Sequence, residues 1–114
     1  MSSARLSSAV LVSALMRLAE QQGGFPVVVQ KGDENAGTIL VILTERGGKA
    51  VLLERLLQVD GSYNWQFSTN QVVENTRDLS ESIARRRKFD PDLWLLELDI
   101  PSLERFAAEM NAFN

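Results

Sequence analysis

The sequence predicts an α+β fold: a mostly antiparallel five-stranded sheet with helices packed on it, in the order α-β-β-β-β-α-β-α. Three observations predict it. Thr38-Ile39-Leu40-Val41-Ile42-Leu43 is an uninterrupted apolar, largely β-branched run. When extended, it points Ile39, Val41 and Leu43 to one face and Leu40 and Ile42 to the other, so both faces need cover and the strand is central. Arg46-Gly47-Gly48-Lys49 follows as a hairpin signal, with Gly-Gly able to take positive φ at both central positions. Helical periodicity is confined to one segment at each end of the chain and one before the last strand.

Taken in order, Ser7 or Ser8 caps a first helix that runs to about Gln22 and stops at Gly23-Gly24. Leu6, Val10, Ala14 and Leu18 form its stripe, widened by Leu11 and Leu15, while Val12 and Met16 lie on the other side. The helix is apolar over more than one sheet would cover, which implies a second layer or a partner subunit. Phe25 to Lys31 is the first strand, with Pro26 admissible only near its beginning. Gly32 to Gly37 is a polar turn segment. The return strand spans Ala50 to Val59, with Val51, Leu53, Arg55, Leu57 and Val59 on one face and Leu52, Glu54, Leu56 and Gln58 on the other. Tyr63 to Gln71 alternates aromatic and polar residues and reads as a half-wet strand near an edge.

The second helix begins between Asn75 and Asp78, where Asp78 and Glu81 have capping-box spacing. Leu79 and Ile83 mark its buried line, and Pro91 ends it at Phe89-Asp90. Leu93 to Asp99 is the fifth strand, with Trp94, Leu96 and Leu98 on one face and Leu93 and Leu95 on the other. Pro101 suits the first turn of a last helix, in which Leu103, Phe106, Ala107 and Met110 have helical spacing.

At 114 residues the chain has the length of one domain. It contains no Cys and no His, which removes disulfides, thiolate nucleophiles, the usual zinc ligands and the one side chain that titrates near neutrality. A net charge of −3 opposes bulk attraction to nucleic acid or anionic lipid. Arg5 followed by Ala9-Val10-Leu11-Val12 mimics a signal peptide, but Ser13 and Arg17 break its apolar core, so the expected location is cytoplasmic.

Three segments resemble a known family. They are Val12 to Arg17 followed by Gly23-Gly24-Phe25, then Lys31-Gly32-Asp33-Glu34-Asn35-Ala36-Gly37, and Arg86-Arg87-Lys88-Phe89-Asp90-Pro91-Asp92-Leu93-Trp94-Leu95-Leu96-Glu97. In these the chain resembles domain of unknown function fourteen ninety-one, a small bacterial family found mainly in alphaproteobacteria. The resemblance covers nearly the whole chain and implies a small cytoplasmic bacterial protein. It supplies no activity.

The residues that carry chemistry also have plain structural roles. Arg85-Arg86-Arg87-Lys88 suggests a nucleic-acid site, but four consecutive helical positions cannot line one face, and cations suit a last helical turn in any case. Asp33-Glu34, and Asp90 with Asp92, have the chemistry of hard-cation ligands or an acid–base pair, yet both pairs stand where turns need acceptors. Gly32 and Gly37 flank a loop that no helix follows, so no phosphate loop is read there. Tyr63, Trp65 and Phe67 are expected to fill core beneath the second helix rather than to stack on bases. No catalytic, cofactor-binding or metal-ligating residues are assigned.

The expected function is a non-catalytic interaction module that self-associates through Val12 and Met16 on the first helix, unless the last helix covers them. One alternative is a nucleic-acid-associated protein using Arg85, Lys88, Arg46 and Lys49. The other is a small-molecule-binding sensor or enzyme with a pocket near Lys31, Asp33 and Tyr63. Arg86 and Arg87 border the buried line of the second helix. At least one of them is expected to be mostly buried and paired with Asp90, Asp92 or Glu97, a corner read as structural before it is read as a partner or ligand site.

Overall fold

The computed structural model describes residues 7–48, 50–67 and 76–110. Its elements are α1 (Ser8–Gln21), β1 (Phe25–Gln30), β2 (Ile39–Glu45), β3 (Ala50–Leu57), β4 (Tyr63–Phe67), α2 (Thr76–Phe89), β5 (Trp94–Ile100) and α3 (Leu103–Met110), in the expected order. The strands form one sheet in the order β1-β5-β2-β3-β4. All neighbours are antiparallel except β2 and β5, which run parallel from Ile39 opposite Trp94 to Glu45 opposite Ile100. β4 and β5 therefore point the same way. α2 is the crossover between them, passing over β3 and β2.

β2 is central because both of its faces are covered. Ile39, Val41 and Leu43 join Leu53, Leu96 and Leu98 in a cluster closed by Leu11 and Leu15 of α1 and by Phe106 and Met110 of α3. Leu40 joins Leu52, Leu93 and Leu95 on the opposite face, under Ile83 of α2. Val41 is fully buried, and cutting it to Ala removes two methyls from a filled core and leaves a cavity. The expected loss is about 1–3 kcal/mol by urea denaturation with an unchanged m-value.

Several local expectations are corrected. The hairpin after β2 is present, but its positive-φ residues are Arg46 (51°) and Gly47 (76°) rather than Gly47 and Gly48. The turn shifts by one because β5 anchors it. The Arg46 amide donates to the Ile100 carbonyl at 3.1 Å, and the Asp99 carboxylate accepts from the Gly47 amide and the Thr44 hydroxyl, both at 2.8 Å. These bonds hold an arginine in a conformation that usually favours glycine. α2 already begins at Thr76, so Asp78 lies inside it and is not its cap. α3 is capped by Ser102, whose hydroxyl accepts from the Arg105 amide at 3.3 Å, and Pro101 stays outside the helix.

Trp65 packs with the α1/α3 cluster, not beneath α2. Its register partner is Arg55, two residues from Leu53, so it shares the face of Leu53. The side chains of Phe67 and Leu79, and the whole of Leu6, Lys49 and residues 68–75, lie outside the described residues. Val12 and Met16 are corrected as well. Val12 is 3% exposed, and Met16 packs half-buried against the cluster that holds Phe106 and Met110. The Gln22 side-chain Nε2 donates to the Glu109 carboxylate at 2.9 Å, tying the end of α3 to the end of α1. The second layer implied by the wide apolar arc of α1 is therefore α3.

Candidate functional site

The loop between β1 and β2 packs against the turn between α2 and β5, so two of the three segments singled out in the sequence meet in space. The Asp33 amide donates to the Asp92 carbonyl at 3.0 Å, and the Trp94 indole returns a bond to the Asp33 carbonyl at 2.7 Å. The Asp33 carboxylate caps its own turn by accepting from the amides of Asn35 and Ala36 at 3.2 and 2.9 Å. The third segment begins just beyond the start of α1, which is pinned to the same loop. The amides of Ser8 and Ala9 donate to the carbonyls of Asn35 and Glu34 at 3.2 and 2.9 Å, and the Ser8 hydroxyl donates to the Gly37 carbonyl at 2.7 Å. These helix-terminal donors are satisfied by backbone. Gly32 and Gly37 are small because the Asp92 carbonyl lies against both. The junction is a backbone knot, and the Asp33 carboxylate serves it as a turn acceptor. Among the described residues no group of three or more acidic side chains converges as a metal site.

Arg86 and Arg87 do not pair with Asp90, Asp92 or Glu97. Arg86 reaches across to Glu54 on β3, its two guanidinium nitrogens each donating to one carboxylate oxygen, the first at 2.9 Å. Glu54 stands opposite Leu40 on the α2 side of the sheet. The Arg86 side chain is 37% exposed and that of Glu54 13%, so the pair is half-buried. The hydrogen bond with Glu54 raises the Arg86 pKa above its ordinary value against the opposing effect of burial, and the charges of Glu54 and Asp90 add to the rise. Arg87 instead donates to the Gln30 side-chain oxygen at 2.6 Å, and the Gln30 side-chain Nε2 donates to the Leu93 carbonyl at 2.8 Å. The two arginines fasten the end of α2 to β3 on one side and β1 on the other. Arg86→Met keeps the stem packing and strands Glu54. It is expected to cost about 1–2 kcal/mol by denaturant titration, below the figure for a fully buried pair because solvent screens the guanidinium.

The cations proposed for nucleic acid are not brought together. Arg85 and Lys88 are exposed near the end of α2, whose chain continues to Trp94 opposite Ile39. Arg46 sits beyond Glu45, at the other end of β2. Six residue steps along β2 separate the two ends by about 20 Å. Lys49 lies outside the described residues.

The pocket expected near Lys31, Asp33 and Tyr63 is split. Tyr63 lines a cleft of about 240 Å³ with Ser8, residues 35–39 and Arg55, whose guanidinium lies 4.1 Å over the Tyr63 ring. Lys31 and Asp33 are not among its lining residues, and Lys31 pairs with Glu34 at 3.4 Å on the surface. The cleft is smaller than the 300–1,000 Å³ typical of ligand pockets.

The surface that sequence reasoning missed is β1. Phe25 is 72% exposed, Val27 53%, Val29 41% and Val28 38%. The register places Phe25 and Val27 beside Asp99 and Glu97 on the α2 side of the sheet, where α2 covers Leu40, Leu52 and Leu95 but leaves this corner open. Among the described residues β1 pairs only with β5, and no strand pairs with its other edge. The signal in the sequence was Pro26, which belongs to edge strands.

Comparison with known proteins agrees with this architecture. A crystal structure of a DUF1491 family protein from Caulobacter crescentus CB15 superposes with a TM-score of 0.79 at 33% identity, covering 89% of this chain and 94% of that one. An NMR structure of a DUF1491 family protein from the same organism gives 0.78 at 33% identity, covering 91% and 94%. The solution structure of protein Atu0922 from A. tumefaciens gives 0.75 at 28% identity, covering 90% and 92%. No curated protein matches the sequence. The family profile described as "Protein of unknown function (DUF1491)" matches residues 6–108, which takes in all three of the segments that meet at the junction. The chain belongs to the DUF1491 family.

Proposed function

We propose that this chain is a non-catalytic interaction module of the bacterial cytoplasm that engages its partner through β1. The observation that carries the reading is the exposure of four apolar side chains of β1, Phe25 and Val27 on the α2 face, Val28 on the other, and Val29, on a sheet edge that pairs with no other strand among the described residues. Apolar side chains exposed on both faces of a strand whose outer backbone groups have no described partner suit the addition of a further strand. The rival chemistries draw less support. The arginine corner is occupied by Glu54 and Gln30, and the basic residues of α2 and the hairpin are far apart.

A photoreactive amino acid in place of Val27, expressed in living bacterial cells, tests the proposal. The expected result is a discrete cross-linked adduct at position 27 that is absent when the same group replaces exposed Ala108 on α3. Equal, diffuse labelling at both positions, or none at either, contradicts it.

A further inference from the structure

We infer that the partner of β1 is a second copy of this chain, the two β1 strands pairing antiparallel about a two-fold axis at Val28 so that two five-stranded sheets become one. The inference rests on the reading of β1 as the association surface and names its occupant.

The sidedness of the backbone carries it. The Trp94 amide donates to the Thr38 carbonyl at 2.8 Å and the Ile100 carbonyl accepts from Arg46 at 3.1 Å, so the even-numbered residues of β5 turn their backbone toward β2. Leu95, Glu97 and Asp99 therefore turn theirs toward β1. Phe25 and Val27 oppose Asp99 and Glu97 and spend their polar groups on β5. Pro26 and Val28 oppose Leu98 and Leu96 and face outward. Pro26 has no N–H to leave unsatisfied there. Val28 has both an N–H and a C=O, and is the one outward residue of the regular ladder that offers the pair. The register shifts between Val28 and Gln30, so the free ladder is short. A long foreign strand finds few bonds on it. Val28 opposite its own symmetry mate satisfies donor and acceptor reciprocally, the self-complementarity that a two-fold interface requires.

Charge and area agree. Residues 25–30 carry no charge, and Lys31 is the first charged residue after them. An axis at Val28 sends Lys31 of one copy toward the Phe25 end of the other, where Glu97 and Asp99 lie one strand further in, about 10 Å away. Like charges are kept at opposite ends. From the exposures of Phe25, Val27, Val28 and Val29, and taking a free Phe as about 200 Å², the two faces of β1 together offer on the order of 350 Å² per copy. Twice that is below the roughly 1,200 Å² at which stable interfaces begin, so the dimer is reversible and concentration-dependent.

Sedimentation of the purified full chain from about 10 µM to about 1 mM, with amide exchange at both ends of the range, tests the pairing. The expected result is a monomer-to-dimer shift in which the Val28 amide gains at least about tenfold protection while the Val27 amide, already bonded to β5, stays constant. Val27→Lys is expected to weaken association at least about tenfold. Val28→Pro, which removes the outward donor, is expected to abolish it; should that variant not fold, Val27→Lys on the exposed face carries the test. A monomer at the highest concentration overturns the pairing, as does a dimer in which Val28 exchange ignores concentration. An adduct in cells at position 27 whose mass is not twice that of the chain also overturns it, while leaving the interaction-module reading standing. No adduct at all removes both.

Discussion

Gly32→Ala is expected to lower stability by about 3 kcal/mol or more, a fall of at least about 10 °C in melting temperature for a chain of this size. A Cβ at Gly32 would press into the Asp92 carbonyl oxygen and sit 2.7 Å from the Leu93 carbonyl carbon and the Trp94 nitrogen. All three are backbone atoms, so no flexible side chain can yield. They are also committed, because Asp92 accepts from the Asp33 amide at 3.0 Å and Trp94 donates to Thr38 at 2.8 Å. Relief of the overlap therefore breaks the bonds that join the loop to the start of β5. Gly48→Ala is the internal control. Its Cβ would meet only the Glu45 carbonyl at 3.3 Å, and a cost below about 1 kcal/mol is expected. Thermal melts of the two variants side by side check the contrast.

Phe106→Ala has the second large effect, a loss of about 3–5 kcal/mol. Phe106 is fully buried and shares a cluster with Leu11, Leu15 and Met110, so it is the largest side chain by which α3 closes over α1 and the sheet. Denaturant titration gives the loss, and increased binding of a hydrophobic dye by the still-folded variant would report the opened face. An unchanged midpoint would mean that α3 is not part of the core.

Legibility from the sequence followed the range of the interaction. The apolar run of β2 declares both of its faces locally, and its central place in the sheet follows from that. The alternation in β5 was equally readable, since Trp94, Leu96 and Leu98 fall on one face and Leu93 and Leu95 on the other. What sequence could not supply was the lateral order of strands. Glu54 becomes the partner of Arg86 only because α2 crosses back over β3, 32 residues away in the chain, so a search among the nearest acids settles on Asp90, Asp92 and Glu97. The one-residue shift of the hairpin has the same origin, because Asp99 and Ile100 of β5 hold it. Val12 and Met16 look unpartnered on a helical wheel, yet both pack in the cluster that Phe106 and Met110 of α3 help to fill. β1 fails in the opposite direction. Its valines resemble those of a covered strand, and their exposure follows from its place at the sheet edge, which Pro26 alone foreshadows.

The central claim is that association resides in β1 while the arginine corner serves the fold. It is tested most directly by comparing Val27→Lys with Arg86→Met in two readouts, melting temperature and adduct formation from a photoreactive group at position 25. The account predicts opposite outcomes. Val27→Lys, at a site 53% exposed, keeps the melting temperature and loses the adduct, whereas Arg86→Met lowers the melting temperature and keeps the adduct. An adduct that survives Val27→Lys but disappears in a fully folded Arg86→Met would contradict it, and would move the functional surface to the end of α2.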